Sequence, residues 1–169
     1  MNAQPPLPGQ TETLCVPDQT TARIRLLCTT DLHAHLLPYD YYSDQEDCPH
    51  GLARVATLIR AARAEMRNTM LLDNGDALQG TPMGDFTPQD DAAWAGGHPV
   101  ITAMNQLKYD AATLGNHEFN FGLDWLCSAL KGAAFPFTCA NVTMDGCTQG
   151  IDVNPFLPPY LLLRRQIMD

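Results

Sequence analysis

Thr69-Met70-Leu71-Leu72-Asp73-Asn74-Gly75-Asp76 is the stretch that decides the fold. An apolar run of strand length passes without a break into a turn dipeptide and a carboxylate. Gly75 permits a tight, positive-φ turn that swings the Asp76 carboxylate back over the strand end. Asp73 reads as a strand-end or supporting residue, not a ligand. The same grammar occurs twice more. The run Arg23–Thr30 leads into Asp31-Leu32-His33-Ala34-His35, and Ala111–Leu114 leads into Gly115-Asn116-His117-Glu118. In an open parallel sheet the carboxyl ends of neighbouring strands face one crevice, where ligands bind.

The segments between these runs have helical periodicity. Leu52–Arg67 carries an apolar stripe of Leu52, Val55, Ala56, Ile59, Ala62 and Met66, with Arg54, Arg60, Arg63 and Arg67 off it and Asn68 as a C-terminal stop. A second helix starts at Pro99, which suits a first helical position, with Val100, Ala103, Met104 and Leu107 on one face. A third spans Gly122–Lys131, with Leu123, Leu126, Cys127 and Leu130 inward and Gly132 as its cap. Phe135–Val142 reads as a fourth strand. Arg23–Thr30 reads as a strand buried mostly on both faces. Pro38–Pro49 and the stretch through Gly80, Pro82, Gly84 and Pro88 read as loops. Alternating strands and helices imply an α/β fold of mainly parallel βαβ units. Residues 1–22, with Pro5, Pro6, Pro8 and Pro17, read as an irregular leader.

Composition bounds the rest. The 169 residues fit about one domain. At 45% hydrophobic they can bury a core. A net charge of −9 argues against a polymeric nucleic acid as partner, because such binding faces are basic. It leaves a small phosphorylated substrate open, since bound cations reverse the local field. No apolar stretch approaches the ~20 residues of a membrane span, so no membrane partner is expected. Met1–Gln10 lacks the basic region and apolar core of a signal peptide, which taken at face value places the chain in the cytoplasm. Six cysteines form no C-x-x-C pair, against a structural zinc site. Cys28, Cys127 and Cys139 read as buried thiols, and Cys139 and Cys147 could pair across a loop in an oxidising compartment.

The three polar strings carry the chemistry. Asp31 and His33, two apart in an extended segment, share a face and can grip one cation. Asp76 adds a carboxylate. An amide oxygen of Asn116 can complete a hard-cation shell without adding charge. His117 can stabilise phosphoryl oxygens or protonate a leaving oxygen, and Glu118 reads as an orienting residue. Any one string alone is ordinary loop decoration: a capping Asp, an Asn-Gly turn, a histidine bonded to local backbone. Three in order, each at a strand end and without cysteine, suit divalent metals and a phosphate ester.

Asp31-x-His33, Gly75-Asp76 and Gly115-Asn116-His117-Glu118 resemble the first three motifs of the calcineurin-like metallophosphoesterases. The wider strings Thr30–His35, Asp73–Pro82 and Gly115–Gly122 resemble the 5′-nucleotidase group of that superfamily. Asn120, where simple 5′-nucleotidases usually carry Asp, and Asp40-Tyr41-Tyr42 favour the 2′,3′-cyclic-nucleotide 2′-phosphodiesterase/3′-nucleotidase branch. The resemblance implies an α/β/β/α sandwich, of which this chain supplies the N-terminal half. It implies two divalent metals (Mn, Zn, Co or Mg) about 3.5–4 Å apart, activating a hydroxide for in-line attack on phosphorus. Asp31 and His33 would bind the first metal, Asp76 would bridge, Asn116 would bind the second, and His117 would act on the phosphate of a nucleotide substrate. It also implies a periplasmic location.

The resemblance also implies histidine ligands from later motifs, and every histidine here (33, 35, 50, 98, 117) precedes Glu118. Asp31, His33, Asp76 counted twice and Asn116 supply five metal bonds where two tetrahedral ions take about eight. Residues 23–169 are therefore expected to be an incomplete N-terminal portion of the catalytic domain. The competing expectations are a non-catalytic fragment with a partial metal site, or a sibling 5′-nucleotidase or UDP-sugar hydrolase.

Overall fold

A computed structural model describes residues 21–88, 97–144 and 154–168. Most of the expected leader, residues 1–20, and the expected Cys139–Cys147 pairing, through Cys147, lie outside the described residues. In chain order the elements are β1 (Arg25–Thr29), β2 (Tyr39–Asp40), β3 (Gln45–Glu46), α1 (Leu52–Glu65), β4 (Thr69–Asp73), α2 (Pro82–Phe86), α3 (Pro99–Leu107), β5 (Ala111–Thr113), a 3-10 turn (His117–Phe119), α4 (Leu123–Leu130) and β6 (Phe137–Thr138).

Four strands form one sheet in the order β1-β4-β5-β6, with every pairing parallel. This is the α/β arrangement expected from the sequence. Leu27 pairs in register with Leu71, and Asp73 with Ala112. Because strand side chains alternate between faces, Leu27, Leu71 and Ala112 point to one face. There they join a core of Leu52, Ala56 and Ile59 from α1 and Val100, Met104 and Leu107 from α3. The α1 stripe is thus the one the periodicity foretold. Fully burying a residue such as Ile59 or Leu71 stabilises the fold by about 1.5–3 kcal/mol.

The opposite face is open. Leu26 and Cys28 lie there in register with Met70 and Leu72, and Leu26 is 65% exposed. β1 is therefore an edge strand covered on one face, not a strand buried on both. Cys28 is exposed for the same reason.

α4 is rotated from its expected phase. Leu126 and Ala129 are fully buried, whereas Leu123 and Cys127 are exposed. Trp125 packs against the core in place of Cys127, edge-on to His98 and Phe121, while Leu130 packs there as expected. Cys139 is buried, as expected. The fourth strand shrinks to Phe137–Thr138: after it the Cys139 N–H bonds Pro158 O, and Thr143 bridges Pro155 in antiparallel sense. Residues 158–168 make no strand ladder.

Helix α1 ends at Glu65 with Met66 extended, and Asn68 instead bonds the Met168 backbone through both its amide atoms. Two stretches read as loops hold short elements, the β2–β3 hairpin and α2. Among the described residues no helix is long and apolar enough to cross a membrane.

Candidate metal centre

The loops that follow β1, β4 and β5 meet at the carboxyl edge of the sheet. Backbone bonds stitch the first two together: Asp31 N to Gly75 O (3.0 Å), His33 N to Asp76 O (2.9 Å) and Ala34 N to Ala77 O (2.9 Å). Asp31, His33, Ala34 and Asp76 all take left-handed φ, between 46° and 57°. Four non-glycine residues in that sparsely populated region are held there by their surroundings.

The third loop approaches so closely that side chains are excluded. A Cβ on Gly75 would lie 2.3 Å from Gly115 N, and one on Gly115 would lie 2.2 Å from Asp76 Oδ1. Gly80, at φ 138°, gives His33 the same freedom, since a Cβ there would come within 2.8 Å of His33 Cβ.

Glu118 fastens the junction. It is 1% exposed and accepts the N–H groups of Asp76 (2.8 Å), Ala77 (2.7 Å), Leu78 (3.1 Å) and Gly115 (2.7 Å). Four backbone donors on one carboxylate compensate its burial. The sequence singled Glu118 out as an orienting residue, and the structure shows what it orients: the Asp76 loop and the start of the Asn116–His117 loop. Beneath it, Asp73 accepts Thr29 Oγ1 (2.6 Å) and the Gly75 N–H (3.0 Å). Since the Thr29 proton goes to Asp73, the Tyr109 hydroxyl donates to Thr29 Oγ1 (2.9 Å). Burial pushes the Asp73 carboxyl up to about 6, against the pull of those two hydrogen bonds.

At the surface of this scaffold the ligand atoms of Asp31, His33 and Asp76 all lie within 4.8 Å of one another. His33 Nε2 stands 3.6 Å from Asp31 Oδ1. The His33 Nδ1–H donates to Gln79 O (2.9 Å), which fixes the tautomer and leaves the Nε2 lone pair directed at the carboxylates. Two carboxylates and one imidazole of fixed tautomer fit a divalent cation.

His117 stands over the same place. Its backbone N–H donates to Asp76 Oδ1 (2.9 Å), and its ring meets that of His33 edge to face, with centroids 5.2 Å apart. Asn120 Nδ2 donates to His117 Nδ1 (3.0 Å) and to Gln79 Oε1 (3.3 Å). Nδ1 is then an acceptor, and the proton of the neutral ring sits on Nε2. Asn116, expected beside the metals, lies at the head of the 3-10 turn with an exposed side chain, next to His117. The backbone carbonyl of Gln79 and the side chain of Asn120 carry no separate ligand signal in sequence, yet they set the tautomers of both histidines.

The family description for calcineurin-like phosphoesterase matches residues 24–158. The chain belongs to that family. A calcineurin-like phosphoesterase chain similar to this one is the trifunctional nucleotide phosphoesterase protein YfkN of Bacillus subtilis (strain 168), 49% identical over 151 residues that are 86% of this chain and 10% of that one. Another is the 2′,3′-cyclic-nucleotide 2′-phosphodiesterase/3′-nucleotidase of Salmonella typhimurium, 44% identical over 149 residues, 88% of this chain and 22% of that protein. The crystal structure of B. subtilis YfkN superposes with a TM-score of 0.77 at 45% identity, covering 88% of this chain and 44% of that chain. The calcineurin-like region described here thus spans a quarter or less of these curated relatives' length.

Proposed function

We propose that this chain provides part of a metal-dependent phosphoesterase site that hydrolyses 2′,3′-cyclic nucleotides and 3′-nucleotides. The observation that carries the proposal is the convergence of Asp31, His33 and Asp76 within 4.8 Å, under an imidazole whose Nε2 bears the proton. Asp31 and His33 would hold one divalent cation, Asp76 would face it and a second, and the amide oxygen of Asn116 would serve the second. Bound cations supply Lewis acidity toward the phosphoryl oxygens and lower the pKa of water.

The protein's own residues do the rest. His33, locked by Gln79 O, keeps its lone pair on the metal side. Glu118 holds the Asp76 backbone, Gly115 leaves room for the Asp76 carboxylate, and the His117 N–H holds that carboxylate in place. The His117 Nε2–H donates to a non-bridging phosphoryl oxygen and stabilises the charge that builds there, while water supplies the proton of the leaving oxygen. With a cyclic substrate, addition of one water at phosphorus breaks the P–O2′ bond and leaves a 3′-phosphate. A second water then adds at phosphorus and breaks P–O3′, releasing the nucleoside and inorganic phosphate. Support for this branch over a 5′-nucleotidase comes from Asn120 and the names of the relatives.

The test is hydrolysis of 2′,3′-cyclic AMP, 3′-AMP and 5′-AMP in manganese, by the protein and by Asp76→Ala. The expected result is preference for the first two substrates and a loss of at least ~100-fold in the variant, since even outer partners of metal ligands are worth 10–100-fold. Unchanged metal-dependent turnover by Asp76→Ala overturns the assignment of the site. Preference for 5′-AMP overturns the branch alone.

A further inference from the structure

The chain has ten lysines and arginines against nineteen acids. Five of those ten cations nevertheless line one cleft of about 410 Å³: Arg60, Arg63, Arg67, Lys108 and Arg165. One carboxylate, Asp110, shares it. The cleft opens where β4 begins at Thr69 and where Asp110 leads into β5, at the amino ends of the strands. The candidate metal residues lie at the carboxyl ends, about 15 Å away along the sheet.

Two of the five guanidinium and ammonium groups are tethered. Arg63 donates to Leu107 O (2.5 Å) and Lys108 O (2.9 Å), closing the C-terminus of α3. Arg165 pairs with Asp110, whose other oxygen accepts the Leu71 N–H (2.8 Å). The single acid of the cleft is therefore already engaged. Among the described residues no acid pairs with Arg60, Arg67 or Lys108. The attraction of cations to helix C-termini accounts for Arg63 and Lys108. The ion pair with Asp110 accounts for Arg165, and it brings that guanidinium up to Arg63, where burial and then the Arg165 charge depress the Arg63 guanidinium's affinity for its proton. Five cations around one engaged acid, two of them held rigid, are suited to receive an anion.

We propose that this cleft binds the phosphates of a di- or triphosphate group, at a site separate from the metal centre. Guanidinium forks match phosphate oxygens in bidentate geometry. The volume falls in the range of small-ligand sites. Three segments of the chain contribute cations, which suits an extended anion of charge −3 or −4 better than a single phosphate. The proposal stands whether or not the metal centre hydrolyses nucleotides.

Calorimetry of the 169-residue chain with tripolyphosphate, in EDTA so that the metal centre is empty, tests it. The expected result is one-to-one binding that weakens with added salt. Arg60→Ala/Arg67→Ala should weaken it at least ten-fold, with the melting temperature showing that the variant is folded. Arg54→Ala, on the same helix outside the cleft, should change it less than two-fold. Arg60→Lys/Arg67→Lys, which keeps charge and loses the forks, should fall between. Absence of binding overturns the proposal. So does a loss as large in Arg54→Ala, which would mean diffuse attraction, or a loss in Asp76→Ala, which would place the anion at the metal centre.

Discussion

Asn120 shows how much one side chain can decide. Its amide donates to His117 Nδ1 and so places the ring proton on Nε2, in a ring that packs edge to face against His33. A carboxylate at the same position would accept instead and draw the proton to Nδ1. Asn120→Asp is therefore expected to reverse the tautomer of His117. Ring nitrogen-15 shifts check this: Nε2 protonated in the parent and Nδ1 protonated in the variant. An unchanged pattern would show that Asn120 does not set the tautomer. At this scale the sequence revealed which residue types gather but not their mutual hydrogen bonds. Asp31, His33, Asp76 and His117 were legible because each follows an apolar run directly. The part played by Gln79 was not, because it acts through a backbone carbonyl that any residue would offer. The closeness of Gly115 to Asp76 was equally hidden, since a glycine before a motif does not say which other loop it admits.

Among the elements, α1 was legible nearly to the residue, and α4 was not. A fourteen-residue helix repeats its apolar spacing often enough to fix its phase. An eight-residue helix with leucine, tryptophan and cysteine on several sides does not, and here Trp125, not Cys127, packs against the core. His98 also shapes α3. Fully buried, it caps that helix by accepting the Val100 N–H at Nδ1 (3.3 Å), and its Nε2 lies 3.4 Å from Thr87 Oγ1. Burial pushes its pKa down to about 4, from 6.5 in the unfolded chain.

Above pH 6.5 both states are neutral at this residue. As pH falls below 6.5 the unfolded chain takes up a proton that the folded one refuses until about pH 4, so stability is lost across that window. The loss attributable to His98 is on the order of 3 kcal/mol. His98→Asn keeps a capping acceptor and removes the titration. Thermal melts in EDTA between pH 7 and 4.5 should show a steeper decline for the parent than for the variant. Parallel declines would remove His98 from the acid response.

For the molecule as a whole, the parallel α/β plan was legible because helix and strand periods alternate cleanly from Arg25 to Thr138. What periodicity could not show is that only one face of the sheet is covered. An apolar strand looks the same in sequence whether its second face meets a helix, another sheet or solvent. Here Leu26 and Cys28 stand exposed beside Met70 and Leu72, and the sandwich implied by the family would lay a second sheet over that side. The consequence is measurable on the chain as it is. Alkylation by iodoacetamide under native conditions, followed by peptide mapping, should modify Cys28 at close to the rate of a denatured control. Cys139, 4% exposed, should react at least ten-fold more slowly, because its thiol must wait for local opening. Equal protection of both thiols would mean that the open face is closed in solution, by a second copy or by another part of the chain. Repeating the labelling over a range of protein concentrations separates those two, since only association between copies depends on concentration.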